Sequence, residues 1–123
     1  MQISAAESAV MEALWRSHPA SAEQVVAALA GTRHWQQATV KTLLNRLLRK
    51  GAIAAGKQGR RYLYTPLLRR EDWVLEESRH LLDRLFGGRV APLVAHFSEH
   101  RGLSRKDVAD LRKLLQELEN DEH

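Results

Sequence analysis

Apolar residues recur along this chain first at helical spacing, then in alternation, then at helical spacing again. Ser4 followed by Glu7 forms a capping-box pattern, with Ile3 placed to pack back on the first turn, and Ala6, Val10, Met11, Leu14 and Trp15 follow on one face. The spacing predicts a helix that stops near Ser17, because Pro19 disfavours helical geometry at His18. A second capping box, Ser21 to Gln24, opens a helix that carries Val25, Val26 and Leu29 and ends at Gly31. Trp35, in the connection from Thr32 to Gln36, is placed to pack between the second helix and the third. The third runs from Gln37 to Gly51, with Val40, Leu43, Leu44, Leu47 and Leu48 at i, i+3, i+4, i+7 and i+8. Arg49 and Lys50 fall in its last turn, where the helix dipole favours cations, and Gly51 suits the left-handed residue that ends a helix.

After Gly51 the period changes to two. Ile53 to Lys57 and Arg61 to Thr65, where Tyr62 and Tyr64 alternate with Leu63, read as two strands joined by a turn at Gln58-Gly59-Arg60 and closed by Pro66. Helical spacing then returns. Trp73 or Val74, Leu75, Leu81, Leu82, Leu85 and Phe86 predict a helix from about Arg70 to Phe86, ended by Gly87-Gly88. Val90, Leu93, Val94 and Phe97 suggest a short helix, and Ser104 caps a last one in which Val108, Leu111, Leu115 and Leu118 repeat at a heptad-like spacing.

Three helices followed by a hairpin is the order of a winged helix-turn-helix, so the fold expected is mainly α with a small β-hairpin wing. It divides into a winged-helix domain at 1–67 and a helical region at 68–123. So thin an appendage cannot bury its own leucines. A second copy of the chain is the partner this predicts, with Leu81, Leu82, Leu85, Phe86, Val108, Leu111, Leu115 and Leu118 as the dimerisation residues. The competing arrangement packs these helices only on their own wing domain.

Charge sharpens the picture of the first domain. The 123 residues carry +4, but residues 1–66 hold +6 and residues 67–123 hold −2. From Arg33 to Arg61 there is no acid at all. The outer face of the third helix offers Thr39, Lys41, Thr42, Asn45, Arg46, Arg49 and Lys50, and the hairpin tip adds Lys57, Arg60 and Arg61. Hydroxyls and an amide can meet base edges while cations meet phosphates, with Asn45 the candidate for adenine. An ordinary solvated face would also account for the helix alone. In the winged topology, however, helix and wing face one side, and double-stranded DNA becomes the expected partner. A basic face that docks an acidic protein surface is the rival reading, and a DNA-binding protein with a small-molecule or metal effector between its domains is another.

The other chemistry in the chain is sparse. There is no cysteine, which removes disulfides, thiolate nucleophiles and cysteine-held metals. No apolar run reaches membrane-spanning length, so the expectation is a cytoplasmic protein without direct membrane insertion. No nucleophile elbow or phosphate loop appears, and no catalytic residue or cofactor is assigned. His96 and His100 stand at i and i+4, with Glu99 adjoining and His80 within reach. No third ligand stands close in sequence, so they are read as surface histidines rather than metal ligands.

The residues also carry a resemblance. Glu7-Ser8-Ala9-Val10-Met11-Glu12-Ala13-Leu14-Trp15, then Trp35 followed by Thr39-Val40-Lys41-Thr42-Leu43-Leu44-Asn45-Arg46-Leu47, then Lys50-Gly51-Ala52-Ile53 and the wing Gly59-Arg60-Arg61-Tyr62-Leu63-Tyr64-Thr65-Pro66 resemble the BlaI/MecI/CopY family of penicillinase and copper-transport repressors. Leu82 to Phe86 with the following glycines fits as well. The resemblance implies a homodimeric repressor, linked in one branch to antibiotic resistance, whose third helix reads a palindromic operator. It also implies DNA contacts at Thr39, Lys41, Thr42, Arg46, Arg60 and Arg61. Relief of repression in the β-lactam branch resembles cleavage by a membrane-sensor metalloprotease at an Asn-Phe pair, and the matching position here is His96-Phe97, which keeps the Phe alone. The copper branch senses metal through a carboxy-terminal cysteine motif, which this chain lacks.

Overall fold

The computed structural model describes residues 1–121. Its elements run α1 (Ala5–Arg16), α2 (Ala22–Leu29), α3 (Gln37–Lys50), β1 (Ile53–Gln58), β2 (Arg61–Pro66), α4 (Arg70–Phe86), α5 (Val90–His100) and α6 (Arg105–Asp121). Both predicted capping boxes are formed. Ser4 Oγ accepts from the Glu7 amide at 3.0 Å while Glu7 Oε1 accepts from the Ser4 amide at 2.9 Å. Ser21 and Gln24 repeat the exchange at 3.2 and 2.8 Å. Each box occupies two amides that a helix start otherwise leaves open. α2 ends at Leu29 rather than at Gly31, because the last turn tightens: the Ala30 amide bonds to Ala27 O, and the Thr32 and Arg33 amides turn back on Leu29 O.

The chain forms two compact units, Met1–Glu77 and a second that starts at Ser78. In the first, Val10, Met11, Leu14, Val25, Val40, Leu44 and Leu47 are fully buried, one apolar face from each of α1, α2 and α3. Each such side chain stabilises the fold by about 1.5 to 3 kcal/mol. Gly51, at φ 78°, turns the chain out of α3, and its amide bonds to Leu48 O at 3.1 Å. Ala52 and Ile53 are buried directly after it. The antiparallel hairpin pairs Ile53 with Pro66 through Gln58 with Arg61, leaving a two-residue turn at Gly59-Arg60. Gly59 has φ 64° and Arg60 a negative φ, the pattern of a II′ turn, whose twist suits a hairpin.

Ala20 pairs with Tyr64 across two backbone bonds of 3.1 and 2.8 Å, so the segment between α1 and α2 acts as a short third rung on β2. The first unit also takes in the opening turns of α4. Trp15 donates its indole proton to Leu68 O at 2.8 Å and lies 5.6 Å from the Trp73 ring, and Arg70 meets Glu12 at 3.0 Å.

In the second unit, Ser104 caps α6 by accepting from the Asp107 amide at 3.0 Å. None of the described residues of α4, α5 or α6 is fully buried.

Candidate nucleic-acid interface

α3 turns Val40, Leu43, Leu44 and Leu47 inward and leaves Thr39, Lys41, Thr42, Asn45, Arg46, Arg49 and Lys50 exposed. The 3.6-residue period alone fixes this division. Two of the exposed side chains are engaged. Thr42 donates its hydroxyl proton back to Ala38 O at 3.0 Å, so outward it offers a methyl group and a lone pair. Lys50 donates to Glu7 Oε1 at 2.7 Å and to Gln2 O at 3.0 Å, tying the end of α3 to the start of α1. Lys50 therefore ties α3 to α1 as well as standing on the exposed face where the helix spacing placed it.

Glu7 is the acid of that pair. Burial pushes its carboxyl up, but the hydrogen bond from Lys50 and those from Ser4 outweigh it, and the pKa comes to rest below the ordinary 4.5. Glu7 is thus ionised at neutral pH, with its charge matched by Lys50.

The wing supplies the rest of the face. Lys57, Arg60 and Arg61 are exposed, Lys57 with its ammonium 5.9 Å from the centre of the Tyr62 ring directly across the hairpin. Tyr64 lies inward, its phenol pushed up from 10.0 by burial and by the neighbouring Tyr62. A groove of about 200 Å³ joins the elements, with Lys41 of α3, Arg60, Arg61 and Tyr62 of the wing, and Glu23 of α2 on its walls. Cations from helix and wing therefore open on one cleft, the arrangement expected from the winged topology. Ahead of α3, the Arg33 guanidinium stacks 4.7 Å from the centre of the half-buried Trp35 ring, which packs on the core.

The carboxy-terminal residues singled out from sequence sort differently. Leu81, Leu85, Val108, Leu115 and Leu118 are exposed, whereas Leu82, Phe86 and Leu111 are half-buried. Leu114, 51% exposed, extends the same α6 stripe, and its i+3 spacing from Leu111 could have revealed it. His96 and Phe97 are exposed on α5, where the His96 ring meets Phe86 and His100 at a tilt and Phe97 edge-on. Among the described residues no group of three His, Asp or Glu side chains is placed to hold a metal, and no helix is long and apolar enough to cross a membrane.

Known proteins resemble this chain in sequence and fold. A sequence profile described as penicillinase repressor matches residues 3–117. The penicillinase repressor of Bacillus licheniformis is 34% identical over 97% of this chain and 93% of its own length. The methicillin resistance regulatory protein MecI of Mammaliicoccus sciuri is 31% identical over 93% of each. Among solved structures, the DNA-binding domain of the repressor BlaI superposes with a TM-score of 0.52 at 38% identity, covering 58% of this chain and 87% of that one. The monomeric form of B. licheniformis BlaI in complex with the blaP half-operator superposes with a TM-score of 0.50, also at 38% identity, covering 58% and 88%. The winged helix-turn-helix is therefore a DNA-binding domain, and the protein regulates transcription rather than catalysing a reaction. By the match along nearly its whole length, this chain belongs to the penicillinase repressor family.

Proposed function

We propose that this repressor works as a homodimer on a palindromic promoter operator in the cytoplasm, blocking polymerase by occupancy. Each copy sets α3 into one of two successive major grooves, about 34 to 36 Å apart. Thr39, Thr42 and Asn45 face base edges, Lys41 and Arg46 reach bases and phosphates, and Arg49, Lys57, Arg60 and Arg61 meet phosphates. The observation that carries this reading is the groove into which both Lys41 of the helix and Arg60 and Arg61 of the wing open. The dimer is supported by the exposed leucines of a second unit in which none of the described residues is buried. The names of relatives, a penicillinase repressor and a methicillin resistance regulatory protein, support a link to antibiotic resistance. Relief of repression then follows from separating or cutting the carboxy-terminal helices. His96-Phe97 is the bond offered to a membrane-sensor metalloprotease, and cutting it requires α5 to unwind locally.

Fluorescence anisotropy against a family-type palindrome and a scrambled duplex, over a salt series and with stoichiometry, tests the reading. We expect two chains per palindromic duplex, preference for the palindrome, and a steep loss of affinity with salt. Replacing Arg60 and Arg61 by Ala should weaken both duplexes alike, whereas Asn45→Ala should relax preference at single base pairs worth about 1 to 3 kcal/mol each. Weak and equal binding to both duplexes overturns sequence-specific repression, and one chain per duplex overturns the dimer.

A further inference from the structure

We propose that Tyr62 is a DNA-positioning residue, its phenol donating a hydrogen bond to a backbone phosphate seated in the groove between α3 and the wing. The proposal rests on the DNA-binding reading above and extends it to a neutral donor among the cations. Side chains alternate across a strand, so Tyr62 shares a face of β2 with Tyr64. Tyr64 is buried beside Ala20, while Tyr62, two residues nearer the tip, is 53% exposed and lines the groove with Lys41, Arg60 and Arg61. Tyr62 thus carries the inward face of the wing out past the core, to where helix and wing cations meet. Lys57, across the hairpin, places its ammonium 5.9 Å from the ring centre, which steadies the ring on the wing. An aromatic so exposed gains little from its apolar area, and its hydroxyl is a phosphate donor of the kind used at duplex backbones. Glu23 is the one acid among the lining residues, so an anion seats toward the cations, on Tyr62's side of the groove.

The charge of the contact gives a test that a structural role would not pass. A neutral donor displaces no counterion, whereas each cation-phosphate contact contributes about 0.9 to the slope of log affinity against log salt. Full-length wild type, Tyr62→Phe and Arg61→Ala are titrated by anisotropy against a mixed-sequence duplex over a salt series. Tyr62→Phe keeps the ring and its place beside Lys57. It should bind roughly threefold to tenfold more weakly at every salt concentration with an unchanged slope, while Arg61→Ala should flatten the slope. Tyr62→Phe binding as tightly as wild type overturns the proposal and leaves the repressor reading intact. A flattened slope for Tyr62→Phe also overturns it, since the effect would then run through a displaced cation. Wild type that shows no salt-dependent binding overturns both.

Discussion

Thr42 gives its hydroxyl proton to Ala38, so the group it holds out from α3 is a methyl beside an oxygen lone pair, a surface that matches the methyl of thymine better than a donor would. Thr42→Val keeps that methyl and should retain base preference, whereas Thr42→Ala should relax it by about 1 to 3 kcal/mol at one position; competition with singly substituted duplexes separates the two. Lys50 illustrates the opposite case, a cation on the exposed face that serves the fold. Lys50→Met leaves the buried Glu7 carboxylate unpaired and should cost about 1 to 2 kcal/mol at neutral pH, less than a fully enclosed pair because Lys50 is over a third exposed. Glu7 has a folded pKa below its unfolded value, so its contribution is present above 4.5 and is lost as pH falls through the folded pKa. The gap between parent and variant in urea unfolding should therefore narrow below pH 4.5. The sequence made the capping role of Glu7 legible, because its partner Ser4 lies three residues away. It gave no sign of Lys50, which is 43 residues distant, since such a pairing depends on how α1 and α3 pack.

At the level of elements, what could be read ahead was whatever repeats. α1, α3 and the hairpin carry strong periodicity with chemical punctuation at Ser4, Gly51 and Gly59, and they stand within a residue of where their spacing put them, the hairpin turn being tighter because Gln58 pairs with Arg61. The Ala20 to Tyr64 rung was invisible because a single residue has no period. The Trp15 bond to Leu68 O was equally hidden, since sequence spacing says nothing of where a distant carbonyl will lie. The α6 stripe was legible as a pattern, though what covers it is not a local property. Leu115 and Leu118, 58% and 53% exposed, make a cleaner test of that stripe than half-buried Leu111, because changing them leaves the packing within a single chain intact. Leu115→Asp with Leu118→Asp should shift the sedimentation of the protein to that of one chain and weaken operator binding by the lost effective concentration of the second half-site. An unchanged sedimentation profile would place the contact between copies elsewhere.

Across the whole molecule the two units differ in kind. The first has a closed core and a basic face, and the second has exposed leucines on helices without a buried residue. The contrast in charge between the two halves was open to simple counting, and so was the excess of leucine beyond Pro66. That the first unit reaches Glu77 was not, because composition shifts at Pro66 while Trp73 and Arg70 still pack on α1. A carboxy-terminal half in which none of the described helical residues is fully buried has, on the homodimer reading, to complete its interior from another molecule, and mass action then links structure to abundance. The paired fraction rises with the number of chains in the cell, so promoter occupancy climbs more steeply than copy number itself. A modest dip in synthesis, or the loss of a few chains to cleavage, would then open the promoter sharply, and the missing core would set the threshold.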